Sequence, residues 1–504
     1  MILVIFVTII GISICAGLVR TGLWYLNSYR RLLRSKCFRG PPALPFIGSA
    51  HLFLGNTEDI YKKVEEIKSN YQTPFRIWLG PRLYFVVNDA EHIKQIMLTP
   101  NTLEKDSIYN MVKPLLRDGV ATASVPKWKV HRKALEPLFH RQALESLVQN
   151  IASNALKTVE KMGMEEEGRE FEVYNYTSRC AFDTILTTTM GVSLNAINNK
   201  ECSLFDAIES VLDLIIMRIT KPWLQADLIF NYTSMGQTYH KDIKYIRDFT
   251  MNSIKSMRNE VSEYIESESR KTLVGLLLTP TINDYKFTDE EIVDEIVTIV
   301  GTGYETTATL LSQAIFTLAN YPEMQDKIYE EISDIYGQSN SESIDITLQD
   351  VYRMEYVERF LKETLRIFPS VPNMIRYLAE ETKLGEYTFP AGSSMMMDLV
   401  TSHRNEKYWP SPLEFNPDRF LPNHPLRPQH PYAYTPFGLG PRNCIGMKHA
   451  MILMKVFLAT LVSRYVIKTK ILRKPTDLEL KPGIALKTND PIMVSLERRF
   501  PESN

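Results

Sequence analysis

The longest run of continuous helical periodicity in the chain lies between residues 288 and 322. Thr288-Asp289-Glu290-Glu291 opens it with a capping box, Thr288 at the N-cap and Glu291 three residues on. Behind the cap, apolar residues go almost all round the helix: Ile292, Val293, Ile296, Val297, Ile299 and Val300, then Leu310, Leu311, Ile315 and Phe316. Such spacing predicts a helix buried along its length. It runs to the Asn320-Tyr321-Pro322 break, roughly 45 Å at 1.5 Å per residue. Its middle, Gly301-Thr302-Gly303-Tyr304-Glu305-Thr306-Thr307, interrupts the apolar pattern. Two glycines, a carboxylate and three threonines destabilise a buried helix unless they serve a purpose. Back-bonding to the carbonyl one turn earlier accounts for a threonine such as Thr306, and not for the glycines. A dinucleotide loop is excluded, because the stretch lies mid-helix rather than at a strand–helix turn.

Elsewhere the pattern is mostly helical. Residues 75–79 and 83–87, split by Gly80-Pro81, predict a strand pair. Strand-like pieces return late, around residues 484–497. Residues 1–19 carry no charged side chain and approach the ~20 residues that span a hydrocarbon core as a helix. Arg20, Arg30, Arg31, Arg34, Lys36 and Arg39 follow, which orients such an anchor with the remaining chain in the cytosol. A cleaved signal peptide is the rival reading, and it lacks the expected basic residues before the apolar run. Gly40-Pro41-Pro42-Ala43-Leu44-Pro45-Phe46-Ile47-Gly48 cannot be helix or central strand and reads as a stiff linker. Residues 165–170 read as an acidic surface loop and residues 262–271 as a charged, solvated connector. No internal repeat or clear boundary divides the rest. The expected organisation is an anchor at 1–19, a basic and proline-rich hinge at 20–48, and one large unit at 49–504. Its class is mainly α with small β-sheets (α+β).

Composition narrows the chemistry. The 504 residues carry a formal net charge of −1, so bulk electrostatics does not favour nucleic acid. The five cysteines, Cys15, Cys37, Cys180, Cys202 and Cys444, form no C-x-x-C pair and no cluster with histidine. That argues against a zinc site and a disulfide framework.

One cysteine has unusual company: Phe437-Gly438-Leu439-Gly440-Pro441-Arg442-Asn443-Cys444-Ile445-Gly446, just before an apolar helical stretch. Glycines let backbone approach a large object closely. N–H donors, a helix N-terminus and an arginine stabilise a thiolate, the form that ligates metal. The loop resembles F-x-x-G-x-R-x-C-x-G of the cytochrome P-450 superfamily of haem-thiolate monooxygenases, with every fixed position present. The likeness extends from the anchor and hinge to the terminal strands, and is greatest to the animal microsomal branch of fatty-acid ω-hydroxylases and insect detoxification enzymes.

The resemblance implies the P-450 fold, a long central helix over a haem b held by the Cys444 thiolate. Phe437, Arg442 and Gly446 belong to the same loop. Trp128 and Arg132, on one helix face in W-x-x-x-R, would donate to a haem propionate, and Arg376 would meet one. The Gly301–Thr307 stretch resembles [AG]-G-x-[DE]-T: Gly303 would leave room for dioxygen, and Glu305 and Thr306 would form an acid–alcohol pair relaying protons. Thr302 departs from the pattern. Many ω-hydroxylases carry there a glutamate esterified to haem, so its absence predicts non-covalent haem. Glu363 and Arg366 (E-x-x-R) with Arg419 (P-x-R-F, Pro417-Asp418-Arg419-Phe420) would form a buried structural network, since a buried ion pair needs further partners. His403 is expected to bond a propionate or backbone rather than iron, because an oxygen-activating site keeps one axial position open.

The implied activity is insertion of one oxygen atom of O2 into an apolar substrate, a fatty acid, hormone or xenobiotic. No flavin or nicotinamide fingerprint is present, so electrons would come from an NADPH-dependent reductase, with cytochrome b5 as a second implied partner. Lys448 is a docking candidate. The implied location is the endoplasmic reticulum membrane, with membrane lipid and lipophilic small molecules as contacts. Two alternatives stay open: the same fold rearranging a peroxide as an isomerase or dehydratase, and a non-catalytic haem-binding membrane protein.

Overall fold

The computed structural model describes residues 11–500 except 13–14, 18, 20–21, 23–25, 28–29, 32, 34, 36, 45–46, 56, 81, 200, 262–271, 279–284, 338–345 and 482. Most of the expected span at 1–19 and the charged stretch at 262–271 therefore lie outside the described residues. No helix among the described residues is long and apolar enough to cross a membrane. The contacts separate two compact units, residues 1–106 with 373–398, and residues 107–372 with 399–504. The division is not sequential, which is why no boundary is visible along the chain.

The first unit is built on the predicted strand pair. β1 (Phe75–Leu79) and β2 (Arg82–Val87) are antiparallel, with Phe75 opposite Val86. Two strands from far along the chain complete the sheet. β3 (Asn373–Tyr377) and β4 (Ser394–Asp398) pair with each other antiparallel, and β4 lies parallel to β2, giving the order β1-β2-β4-β3. Helices α1 (Thr57–Asn70) and α2 (Ala90–Leu98) accompany it. Ile60, Ile67, Phe75, Ile77 and Val86 form one core cluster. The proline-rich segment is more than a linker. The Arg76 N–H bonds the Arg39 carbonyl at 2.9 Å, and Gly48 bridges to Leu79. Gly48 sits at φ +61°, and a Cβ there would collide with the Trp78 carbonyl, so a glycine is needed for this close approach.

The second unit is helical. Its main helices are α3 (Val125–Leu135), α4 (Arg141–Met162), α5 (Tyr174–Met190), α6 (Ser203–Thr220), α7 (Ser234–Val261), α8 (Asp289–Asn320), α9 (Pro322–Tyr336), α10 (Glu355–Ile367) and α11 (Met447–Arg464). α8 is the predicted central helix, 32 residues long, and both halves of its Thr288–Glu291 capping box form. It packs along α5 and also against α7, α10 and α11. The late strands are β5 (Tyr465–Lys468), β6 (Leu480–Lys481), β7 (Lys487–Thr488) and β8 (Met493–Arg498). β8 pairs antiparallel with β5 and with a short strand at Phe171–Glu172, and β7 pairs with β6. The acidic residues 165–170 lie between α4 and that short strand.

Candidate active site

The loop before α11 owes its shape to two glycines and one backbone hydrogen bond. Gly438 and Gly440 take φ +73° and +66°, values that L side chains rarely adopt. The Cys444 N–H then donates to the Phe437 carbonyl at 2.8 Å, closing the turn. Gly446 is the N-cap of α11, so Cys444 stands immediately before a helix N-terminus. Its side chain is accessible, and the surrounding protein pushes the thiol pKa up. N–H groups of Gly446 and Met447 and the positive Arg132 oppose that shift.

α3 buttresses this loop. Arg132 donates from Nη1 to the Asn443 carbonyl and from Nη2 to Asn443 Oδ1, both at 2.8 Å, and from Nε to Glu136 at 3.2 Å. Each nitrogen of the expected propionate donor thus engages protein, two of them the residue beside Cys444. Trp128 is buried, and the Arg442 guanidinium lies 4.3 Å above its ring while donating to the Ala123 carbonyl at 2.9 Å. Trp128, Arg132 and Arg442 come together. Arg376 belongs to the first unit, buried on β3 and bridged to Lys105.

The E-x-x-R network is fully buried. Arg366 grips both Glu363 oxygens, at 2.7 and 2.8 Å, and Arg419 Nε donates to Glu363 Oε1 at 2.9 Å. Asn416 N–H adds a fourth bond to that carboxylate. The remaining guanidinium protons reach carbonyls of His403, Pro410, Pro412, Glu414 and Leu426. Two cations on one carboxylate are tolerated because carbonyls take up the excess positive charge. His403 joins as an acceptor: its Nε2 takes the Thr435 N–H at 3.0 Å, and burial with the nearby Arg366 lowers its pKa to about 3. The backbone alternative for His403 is the one observed.

In the middle of α8, Thr302 is exposed and Gly303 and Thr306 are partly exposed, while flanking residues are buried. Thr302, Thr306 and Thr307 all back-bond to carbonyls four residues earlier, at 2.8, 3.0 and 2.9 Å. A Cβ on Gly303 would meet Ile185 of α5 at 3.1 Å, so this glycine has a helix-packing role. Glu305 is buried and pairs with Lys487 of β7 at 2.8 Å. A narrow apolar hollow lies against the preceding turns of α8, lined by Leu115, Leu204, Ile208, Val297, Val300 and Gly301 among others.

Three contributors escaped sequence reasoning. Lys487 gives no local signal, lying on a two-residue strand. Asn443 is a variable position within the cysteine loop. His131, between Trp128 and Arg132, bonds Glu295 of α8 at 2.6 Å with both groups buried, and Glu295 also accepts the Val120 N–H at 3.0 Å. The helical offset of His131 from Arg132 marks it as inward-facing, and its partner is set by tertiary packing alone.

The chain matches the family described as Cytochrome P450 over residues 38–496. The chain belongs to the cytochrome P450 family. It is 32% identical over 485 residues to Cytochrome P450 4c21 of Blattella germanica, covering 94% of this chain and 95% of that protein. Cytochrome P450 4V2 of Pongo abelii is 30% identical over 471 residues, with 91% and 89% covered. The fold is that of the cytochrome P450DA heme domain, with a TM-score of 0.80 at 21% identity, covering 92% of this chain and 98% of that one. The protein is therefore a haem monooxygenase of the P450 family, whose fold binds haem b through a cysteine thiolate. The residues present fit that group: an accessible thiol at a helix N-terminus, backbone N–H groups and Arg132 favouring its charged form, and a polar, open turn in a long buried helix.

Proposed function

We propose that this cytochrome P450 is a membrane-anchored monooxygenase that hydroxylates an apolar molecule, a fatty acid, hormone or xenobiotic, with electrons from an NADPH-dependent reductase. The observation that carries the reading is the accessible Cys444 thiol before α11, combined with a Thr302–Thr306 turn left open in a helix that is otherwise buried. Haem, held without a covalent bond by the Cys444 thiolate, would supply oxygen activation and one-electron chemistry. Cys444 is the metal ligand. Phe437, Gly446 and Arg442 shape its loop, Trp128 and Arg132 brace it, and Arg376 is assigned to a propionate. Glu363, Arg366 and Arg419 hold the polypeptide leading into the loop.

The Thr306 hydroxyl is the proton donor to oxygen, and it must exchange the Thr302 carbonyl for that role. Glu305 is the acid that resupplies it. Gly303 keeps the turn free of side chain. The apolar lining before Gly301 supports an apolar substrate. Anchoring through residues 1–19 at the endoplasmic reticulum membrane rests on their composition, and cytochrome b5 is an accessory partner by family analogy. The exposed Lys448 near the loop is a docking candidate for the reductase.

A panel of fatty acids, hormones and lipophilic xenobiotics, screened first by spin-state shift and then for turnover, tests the proposal. Product formation that requires both NADPH and reductase supports it. Rearrangement or dehydration of an organic peroxide itself, with neither added and no oxygen passed to a second molecule, would replace it with the isomerase reading.

A further inference from the structure

Glu305 is not alone in its pocket. Lys487 Nζ lies 2.8 Å from Glu305 Oε1, and Glu305 Oε2 is buried without a hydrogen-bond partner among the described residues. Glu209 of α6 acts on both groups electrostatically. Its Oε1 accepts from Tyr304 at 3.0 Å and from Tyr174 at 3.2 Å. The ammonium of Lys487 lies 5.1 Å from the centre of the Tyr174 ring. Asp213, one turn beyond Glu209 and exposed, completes the set of charged groups acting on the pair. The cluster is thus three carboxylates, two phenols and one ammonium, drawn from α5, α6, α8 and β7.

The backbone that carries Lys487 is fixed to the same helix. Gln313 of α8 donates to the Leu486 carbonyl at 2.8 Å, and the Leu486 N–H donates to the Ser370 carbonyl at 2.8 Å. Ser370 Oγ in turn donates to the Thr306 carbonyl at 3.3 Å. Leu486, the residue before Lys487, is therefore tied through its carbonyl to α8 and through its N–H to Ser370, which in turn bonds the Thr306 carbonyl. A cation placed so firmly against one acid, with the second acid oxygen left over, fixes which way that acid faces.

We propose that Lys487 is a positioning residue for Glu305: it holds one carboxylate oxygen and leaves the other available for proton exchange. The inference rests on the reading of Glu305 as the acid partner of Thr306. Burial pushes the Glu305 pKa up, Lys487 draws it down, and Glu209 and Asp213 raise it. Removing the ammonium leaves only the upward influences. Each proton that Glu305 gives up is replaced by one from solvent, so no net charge accumulates.

The test compares Lys487→Met and Lys487→Arg with the full-length enzyme. The first readout is the infrared carboxyl band of Glu305, identified by its loss in Glu305→Gln and titrated without turnover. The titration midpoint should rise by about one pH unit or more in Lys487→Met and stay near the wild-type value in Lys487→Arg. The second is steady-state turnover of whichever compound gives the largest spin-state shift. There kcat should fall about tenfold or more in Lys487→Met with KM little changed, and Arg should restore most of it. An unmoved midpoint, or a loss confined to KM, overturns the proposal. A shifted midpoint beside a wild type that turns over nothing upholds the Lys487–Glu305 relationship and instead sinks the monooxygenase reading of the site.

Discussion

Arg132 holds Asn443 by two hydrogen bonds at 2.8 Å, one to its carbonyl and one to its side chain, and so fixes the residue before Cys444. A guanidinium in this planar arrangement does what a lysine cannot, because both bonds come from one rigid fork. Hydrogen bonds to a charged group contribute roughly 1.5–3 kcal/mol each. Arg132→Ala is expected to loosen the loop and speed haem loss at least tenfold, with Arg132→Lys recovering only part. Transfer of haem to an acceptor globin measures this. Asn443→Ala removes the side-chain bond alone, so a double-mutant cycle with Arg132→Ala should return a coupling of about that single-bond size.

Glu363→Gln should be among the most damaging substitutions in the chain. It leaves Arg366 and Arg419 buried with one fewer negative charge between them. Breaking a buried ion pair by changing one partner costs on the order of 3–5 kcal/mol. The expected outcome is poor haem incorporation and a lowered midpoint in denaturant unfolding.

Gly303→Ala sets two effects of similar size against each other. Alanine in a helix gains about 1 kcal/mol over glycine. A new Cβ meets Ile185 at 3.1 Å and must displace it, at a cost on the order of 1 kcal/mol. In the wild-type background the two nearly cancel. In an Ile185→Ala background the clash is gone, and Gly303→Ala should stabilise. Equal effects in the two backgrounds, read from unfolding midpoints, would remove the packing role assigned to this glycine.

Acid should destabilise the protein in a defined window. Burial and Arg366 lower His403 to about 3, and burial lowers His449 to about 4. Both lie below the 6.5 of an unfolded histidine, so the unfolded chain binds more protons between those values. Stability is then fully present above pH 6.5 and falls as pH drops through that window, by on the order of a few kcal/mol. His403→Gln can still accept the Thr435 N–H and no longer titrates, so its stability-versus-pH curve should be flatter than the wild type's.

The parts of this structure legible in sequence are those with a local cause. The Thr288–Glu291 box, the apolar periodicity behind it and the Asn320-Tyr321-Pro322 break define α8 almost to the residue. β1 and β2 follow from aromatic and branched residues around a glycine–proline turn. The cysteine loop is legible because its pattern is local, and one of its fixed positions, Gly440, answers to a positive φ. What stayed hidden depends on distant chain. Lys487 meets Glu305 across 182 positions of sequence, and nothing near either residue announces the other. Arg132 and Asn443 are as remote, and a family pattern that assigns the arginine to a propionate hides its bond to the loop. The proline-rich segment reads as a linker because its partner, β1, is recognised only when Gly48 is seen bridged to Leu79.

Ligation through the Cys444 sulfur is the central claim. The reduced, carbon-monoxide-bound spectrum of the full-length protein tests it most directly. The wild type should show the red-shifted Soret band of a thiolate-ligated haem, and Cys444→His should lose it while retaining bound haem. A wild-type Soret band at the position of a histidine-ligated haem, or an unchanged red-shifted band in Cys444→His, would contradict the account.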